Sequence, residues 1–187
     1  MSDNAISQIQ VNDKVYDICD TEARNSINIL KQRPIITTYV GSTNVSESAA
    51  WLPCIFNTIK ASNNADGISN WYSFSDGIIT ANTNCILKIS ILGLWSDSTA
   101  GQRGLEIRAG SDVTSSNEYS SINYCFTNST SWKNVVFPSR VFLLEANNSL
   151  SMGHWGPSGA TFKVAEHTSG SGAPGPQSYA TIEVVNL

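Results

Sequence analysis

The sequence predicts an all-β protein: a jelly-roll β-sandwich head behind a short N-terminal β-hairpin and α-helix. Three observations carry this. Beyond Pro34 the helical pattern stops, and short apolar runs recur between Gly, Asn, Ser and Asp clusters. Ser (27), Asn (18) and Thr (14) dominate the polar residues while charged residues reach only 14%, a surface of hydroxyls and amides that suits strands and turns. The runs show no internal repeat, so edges are hidden by wrapping two sheets around one core rather than by repeating a unit. At 187 residues the chain has room for one ordinary domain and a small appendage.

The appendage is residues 1–34 and the head residues 35–187. In the appendage, Ile6 to Val11 and Lys14 to Ile18 are apolar-containing runs separated by Asn12-Asp13, a connection that suits a tight hairpin. Asp20 then stands as an N-cap before Thr21 to Gln32, which carries an acid in its first turn and Lys31 and Arg33 at its end. Pro34 closes this helix. Ala23, Ile27 and Leu30, with Ile29 alongside, form a narrow apolar seam. A helix this short is marginal alone, so the seam needs a cover: its own hairpin, or identical copies of the chain.

In the head, strands are expected over Ile35 to Val40, Trp51 to Lys60, Asn70 to Phe74, Gly77 to Thr80 and Cys85 to Trp95. Further strands follow over Gly104 to Ala109, Ser121 to Phe126, Trp132 to Leu144, Ser149 to Trp155, Thr161 to Val164 and Tyr179 to Val185. Cys85 to Trp95 is apolar on much of both faces. The sandwich partner covers one, and a neighbouring subunit is a candidate cover for the other. The Gly-, Pro- and Ser-rich stretch Thr168 to Gln177 reads as a loop tip, because a good terminal strand follows it.

Several function classes fall away. A net charge of -4 without a basic stripe argues against nucleic acid. No apolar run approaches a membrane span, and the opening residues lack a basic region leading into an apolar core, so synthesis in a cytosol without membrane insertion is expected. Cys19, Cys54, Cys85 and Cys125 lie 35, 31 and 40 residues apart with no CxxC and no neighbouring His. They read as free thiols and not as a zinc site; neither metal nor cofactor is expected. A serine hydrolase would have to use His154 or His167, and Gly156-Pro157-Ser158-Gly159-Ala160 only approaches the nucleophile-elbow pattern, without its helix. The carboxylates Asp66, Asp76, Asp97, Glu106, Asp112, Glu118, Glu145 and Glu166 show no spacing that pairs two of them for glycan hydrolysis. The chain is therefore read as a non-enzyme.

The run Ile9 to Arg24, through Tyr16, Asp17, Ile18, Asp20, Ala23 and Arg24, resembles a module of tail and minor structural proteins of phages and prophages of gut Firmicutes. The remainder resembles tumour-necrosis-factor-like trimeric head domains at the ends of such proteins. Gly101 to Arg108, the run Val135 to Leu150 into Ser151 to Gly159, and the closing strand carry that likeness. The turn Ala146-Asn147-Asn148 replaces the usual acidic Gly-Asp. The resemblance implies a homotrimeric receptor-binding tip of a tail fibre, part of the virion. Its N-terminal segment would attach to other tail or baseplate proteins, and its head would bind a bacterial surface glycan or protein. The alternatives are a purely structural tail or capsid decoration protein, and a small glycan-active enzyme.

Within that reading, Ala23, Ile27 and Leu30 are the trimer-interface residues. The ligand-binding residues are Trp155, His154, Tyr119 and Glu118, since aromatic rings present flat apolar faces to sugars and specificity gathers in loops held by a rigid sandwich. Trp155 is the ring expected to stack on a sugar.

Overall fold

The structure, a computed structural model, describes residues 8–11, 14–17, 34–96, 100–113, 119–127, 133–165 and 178–185. The chain divides into two compact units, Met1–Arg33 and Pro34–Leu187. In the first, β1 (Gln8–Val11) and β2 (Lys14–Asp17) pair antiparallel, with Val11 opposite Lys14. That register leaves Asn12 and Asp13 as the connection. The helical seam of Ala23, Ile27 and Leu30 lies outside the described residues, as do Glu118 and the loop Thr168 to Gln177.

The second unit holds β3 (Ile35–Val40), β4 (Val45–Ser46), β5 (Leu52–Pro53), β6 (Thr58–Ser62), a 3-10 turn (Ile68–Asn70), β7 (Tyr72–Ser75) and β8 (Ile78–Ala81). There follow β9 (Cys85–Ser96), β10 (Gly101–Ala109), β11 (Tyr119–Thr127), β12 (Lys133–Leu144), β13 (Ser149–Trp155), β14 (Thr161–Phe162) and β15 (Tyr179–Val185). One sheet runs β11-β10-β13-β8-β7 with β5 beside the end of β13; the other joins β12-β9-β15-β3-β6, with β14 and β4 continuing from the end of β9. Every strand pair named here is antiparallel. The chain alternates between sheets, from β8 to β9 to β10 and from β11 to β12 to β13, which is the wrapping of a jelly roll.

The long central strand behaves as its alternation predicts. Cys85, Leu87, Ile89, Ile91 and Trp95 are buried, while Ile86, Lys88, Ser90, Leu92 and Leu94 on the other face are half-buried. Across the sandwich they meet Leu105 and Ile107 of β10, Leu150 and Met152 of β13 and Ile79 of β8. Gly93 lies between Ile91 and Trp95 for a packing reason: a Cβ there would come within 2.8 Å of the Trp95 ring. The absent side chain is the space into which that indole folds.

Two local features differ from the sequence reading, and a third shows how an expected turn is made. Trp51 to Lys60 is two short strands, β5 and β6, because Pro53 lacks a backbone donor and the chain leaves one sheet to enter the other. Asp76 and Gly77 take φ of 50° and 79° and make the two-residue turn joining β7 to β8, where positive φ at both positions matches the strand twist. Asn147 takes φ of 69° in the turn before β13, a conformation Asn tolerates better than most residues. Among the described residues, no helix is long and apolar enough to cross a membrane.

Candidate functional site: a buried anchor, an acid–arginine cluster and an apolar sheet face

Loop 47–51 leaves the end of β4 and enters β5, passing from one sheet to the other. Its first residue is a buried acid. The Trp95 indole Nε1 donates to Glu47 Oε1, and His154 Nδ1 lies 2.9 Å from the same oxygen. The His154 ring stacks on Phe162 with centroids 4.0 Å apart, and neither His154 nor Glu47 has an accessible side chain. Glu47 Oε2 and His154 Nε2 are buried without a hydrogen-bond partner. Gly156 passes close over this carboxylate; a Cβ there would meet Glu47 Cγ at 2.9 Å. The cluster ties β9, β13, β14 and the loop together at one end of the sandwich. The structure places His154, expected as a ligand-binding residue, on β13 as a fully buried ring rather than at a loop tip.

On the outward face of the other sheet, Glu106 of β10 lies opposite Gly153 of β13. The glycine makes the room, since a Cβ at position 153 would fall 2.7 Å from Glu106 Oε1. Arg108 Nε stands 2.9 Å from that oxygen, and the guanidinium carbon is 5.9 Å from the centre of the Trp51 ring, a cation–π distance. Glu106 and Ser151 are fully buried, and neither Glu106 Oε2 nor Ser151 Oγ has a hydrogen-bond partner. Burial pushes the Glu106 carboxyl up to about 7, against the opposing pull of Arg108. Burial likewise raises the Cys54 thiol well above its ordinary range, helped by the charges of Glu47 and Glu106. Cys54 and Cys85 are free, as the spacing led us to expect, and both are buried; the side chains of Cys19 and Cys125 lie outside the described residues.

Trp155 ends β13 opposite Gly104 and is half-buried, with its place on a strand rather than in a loop. Tyr119 opens β11, paired with Arg108. Glu47, Arg103 and Arg108 gave no signal in the sequence, where an isolated charge in a polar stretch reads as solvated. Glu106 was noted only as one carboxylate among eight.

The outward face of the β12-β9-β15-β3 sheet is apolar in rows. Register aligns Leu143 of β12 with Ile86 of β9 and Val185 of β15, and the next row is Val141, Lys88, Glu183 and Ile36. Beyond a polar row of Ser90, Thr181 and Thr38, a further row joins Val136, Leu92 and Tyr179. Leu143 is 80% exposed, Val141 58% and Val136 53%. Lys88 Nζ and Glu183 Oε2 pair at 3.2 Å within this face, so it carries no net charge there.

No family model matches the sequence, and no curated protein sequence matches it. Solved structures do. Murine APRIL at pH 5.0 superposes with a TM-score of 0.58 at 9% identity, covering 82% of this chain and all of that one. The pH 8.0 form gives 0.56 at 11% identity with the same coverage. The Eiger TNF of S. frugiperda gives 0.54 at 11% identity, over 82% of this chain and 94% of that one. The fold is a tumour-necrosis-factor-like jelly roll. Identity this low establishes the fold alone.

Proposed function

We propose that this protein is the receptor-binding head of a bacteriophage tail fibre, a non-enzymatic homotrimer that attaches to a bacterial surface glycan. The reading rests most on the outward face of the β12-β9-β15-β3 sheet, where exposed Leu143, Val141 and Val136 lie in register with half-buried Ile86, Leu92 and Val185. Large exposed apolar residues gathered on one sheet face of a folded domain, with the Lys88–Glu183 pair and a Ser90–Thr181–Thr38 row among them, mark a surface that another chain covers. The cover assigned here is two further copies. The N-terminal segment, by its resemblance to phage tail modules, is the part that attaches to tail or baseplate proteins, and the protein acts as a virion component.

Trp155 belongs to the other sheet, so three-fold association through the apolar face leaves it outside that interface. Each head then presents it three times, and weak single-site binding becomes firm attachment through avidity. The test has two arms. Light scattering is expected to give three times the 20.2 kDa chain mass at micromolar concentration. Trp155→Ala is expected to abolish binding to host cells and to a glycan array with the trimer intact. A monomer, or a folded Trp155→Ala trimer that binds cells as before, would refute the corresponding half of the proposal.

A further inference from the structure

We propose that Lys88 and Glu183 specify how copies of this chain associate: about the three-fold axis their intrachain pairs close into one ring of alternating charge, in which each Lys88 stands between its own Glu183 and that of the next copy. The inference rests on the homotrimer proposed above and adds the residues that select the partner and fix its height along the strands.

The two residues are neighbours on adjacent inner strands of the apolar face. Lys88 of β9 is opposite Glu183 of β15, with Val141 of β12 beyond the lysine and Ile36 of β3 beyond the acid. Lys88 Nζ lies 3.2 Å from Glu183 Oε2, and the side chains are 44% and 25% exposed, so both charges remain within reach of another molecule. Along the strands in one direction comes the apolar row of Leu143, Ile86 and Val185. In the other comes the polar row of Ser90, Thr181 and Thr38, in which Thr38 Oγ1 and Thr181 Oγ1 are 3.4 Å apart, and then the row of Val136, Leu92 and Tyr179. The face is therefore banded across its strands: apolar, charged, polar, apolar.

Cyclic symmetry decides what such a band meets. When three copies turn this face to an axis running along the strands, every row keeps its height and each band meets its own kind. Going round the axis, each copy presents β9 and then β15 in the same order. The charges follow as Lys88, Glu183, Lys88, Glu183, with no two of like sign adjacent. Ile36 of one copy and Val141 of the next flank each junction with apolar surface. A partly exposed pair contributes little within one chain. Covered in the ring, each charge has opposite charges on both sides, the condition under which burial of ions is compensated. Sliding one copy along the strands by a row, about 7 Å, sets its charges against the Leu143 row or the hydroxyl row and leaves them covered without that compensation. Isolated polar residues in an apolar seam fix register in coiled coils by the same means.

Lys88→Glu and Glu183→Lys each put like charges all round the ring. Each is expected to raise the concentration at which the trimer half-dissociates by about tenfold or more in sedimentation velocity. The exchange of both, Lys88→Glu with Glu183→Lys, restores the alternation and should return that concentration to its unaltered value. Mixing the two single variants separates the ring from a pair that acts only within its own chain. A chain with two acids in the band and a chain with two bases should associate with each other better than either does with itself, whereas a purely intrachain pair draws no benefit from mixing. Single variants that dissociate as the unaltered protein does, or a mixture no tighter than its components, would overturn the ring and leave three-fold association standing. An unaltered protein that is monomeric at every concentration would overturn both. Should a variant fail to fold, carbodiimide cross-linking of the unaltered protein decides the matter. In trimers reassembled from light and nitrogen-15 chains, Lys88 is expected to be joined to Glu183 in peptide pairs of mixed isotope; cross-links confined to pairs of one isotope would refute the ring.

Discussion

Glu47 accepts from the Trp95 indole and from His154 at a single oxygen, in a site closed to water. Removing the carboxylate leaves an indole N–H and an imidazole buried without their partner. Unsatisfied buried polar groups are among the more expensive defects a core can carry. Glu47→Ala is therefore expected to lower stability by about 3 kcal/mol in a urea titration, with the m-value unchanged. Gly77 makes a backbone argument. It takes φ of 79°, and a Cβ would run into the Cys54 carbonyl oxygen, which cannot swing away as a side chain does. Gly77→Ala should cost more than about 1 kcal/mol. At Gly153 the atoms in the way belong to the side chain of Glu106, so Gly153→Ala should move that acid before it disturbs the backbone.

β12 is the element on which the proposed association depends. It pairs only with β9 among the described strands, and its register shifts between Phe137 and Arg140, where Pro138 and Ser139 stand. A proline and a bulge on an edge strand discourage open-ended strand addition. What β12 presents is its outward side chains, with Leu143 the most exposed large apolar residue described. Leu143→Lys is expected to shift sedimentation to the monomer while changing the stability of the isolated fold by less than about 0.5 kcal/mol. An unchanged trimer would move the interface elsewhere. The Lys88–Glu183 pair on the same face is partly exposed, and pairs of that kind contribute little on their own.

For the whole molecule, Glu106 sets the direction of the pH dependence. Its carboxyl rises from the ordinary value of 4.5 in the unfolded chain to about 7 in the fold, with desolvation as the leading cause. The stability this contributes is fully present below pH 4.5 and is lost as pH climbs through 7, since the unfolded chain ionises first. Denaturation midpoints are expected to fall between about pH 5 and pH 7.5, and Glu106→Gln should flatten that slope. A midpoint rising through this window would mean that Arg108 outweighs the desolvation.

Local composition and period-2 patterning were enough for the all-β class, the alternation of β9, the limits of the terminal strand and the free thiols of Cys54 and Cys85. Which charges lie inside is settled by long-range packing. Glu47 and Arg103 stand in polar stretches and look solvated, yet the crossing of loop 47–51 and the pairing of β10 with β13 put both in the interior. His154, expected at a ligand site, is buried for the same reason. Whether a residue near the end of a strand faces water depends on what packs over that end, here Glu47 and Phe162, which are 107 and 8 positions away in the chain. Those contacts are set by topology, and no local pattern in the sequence carries them.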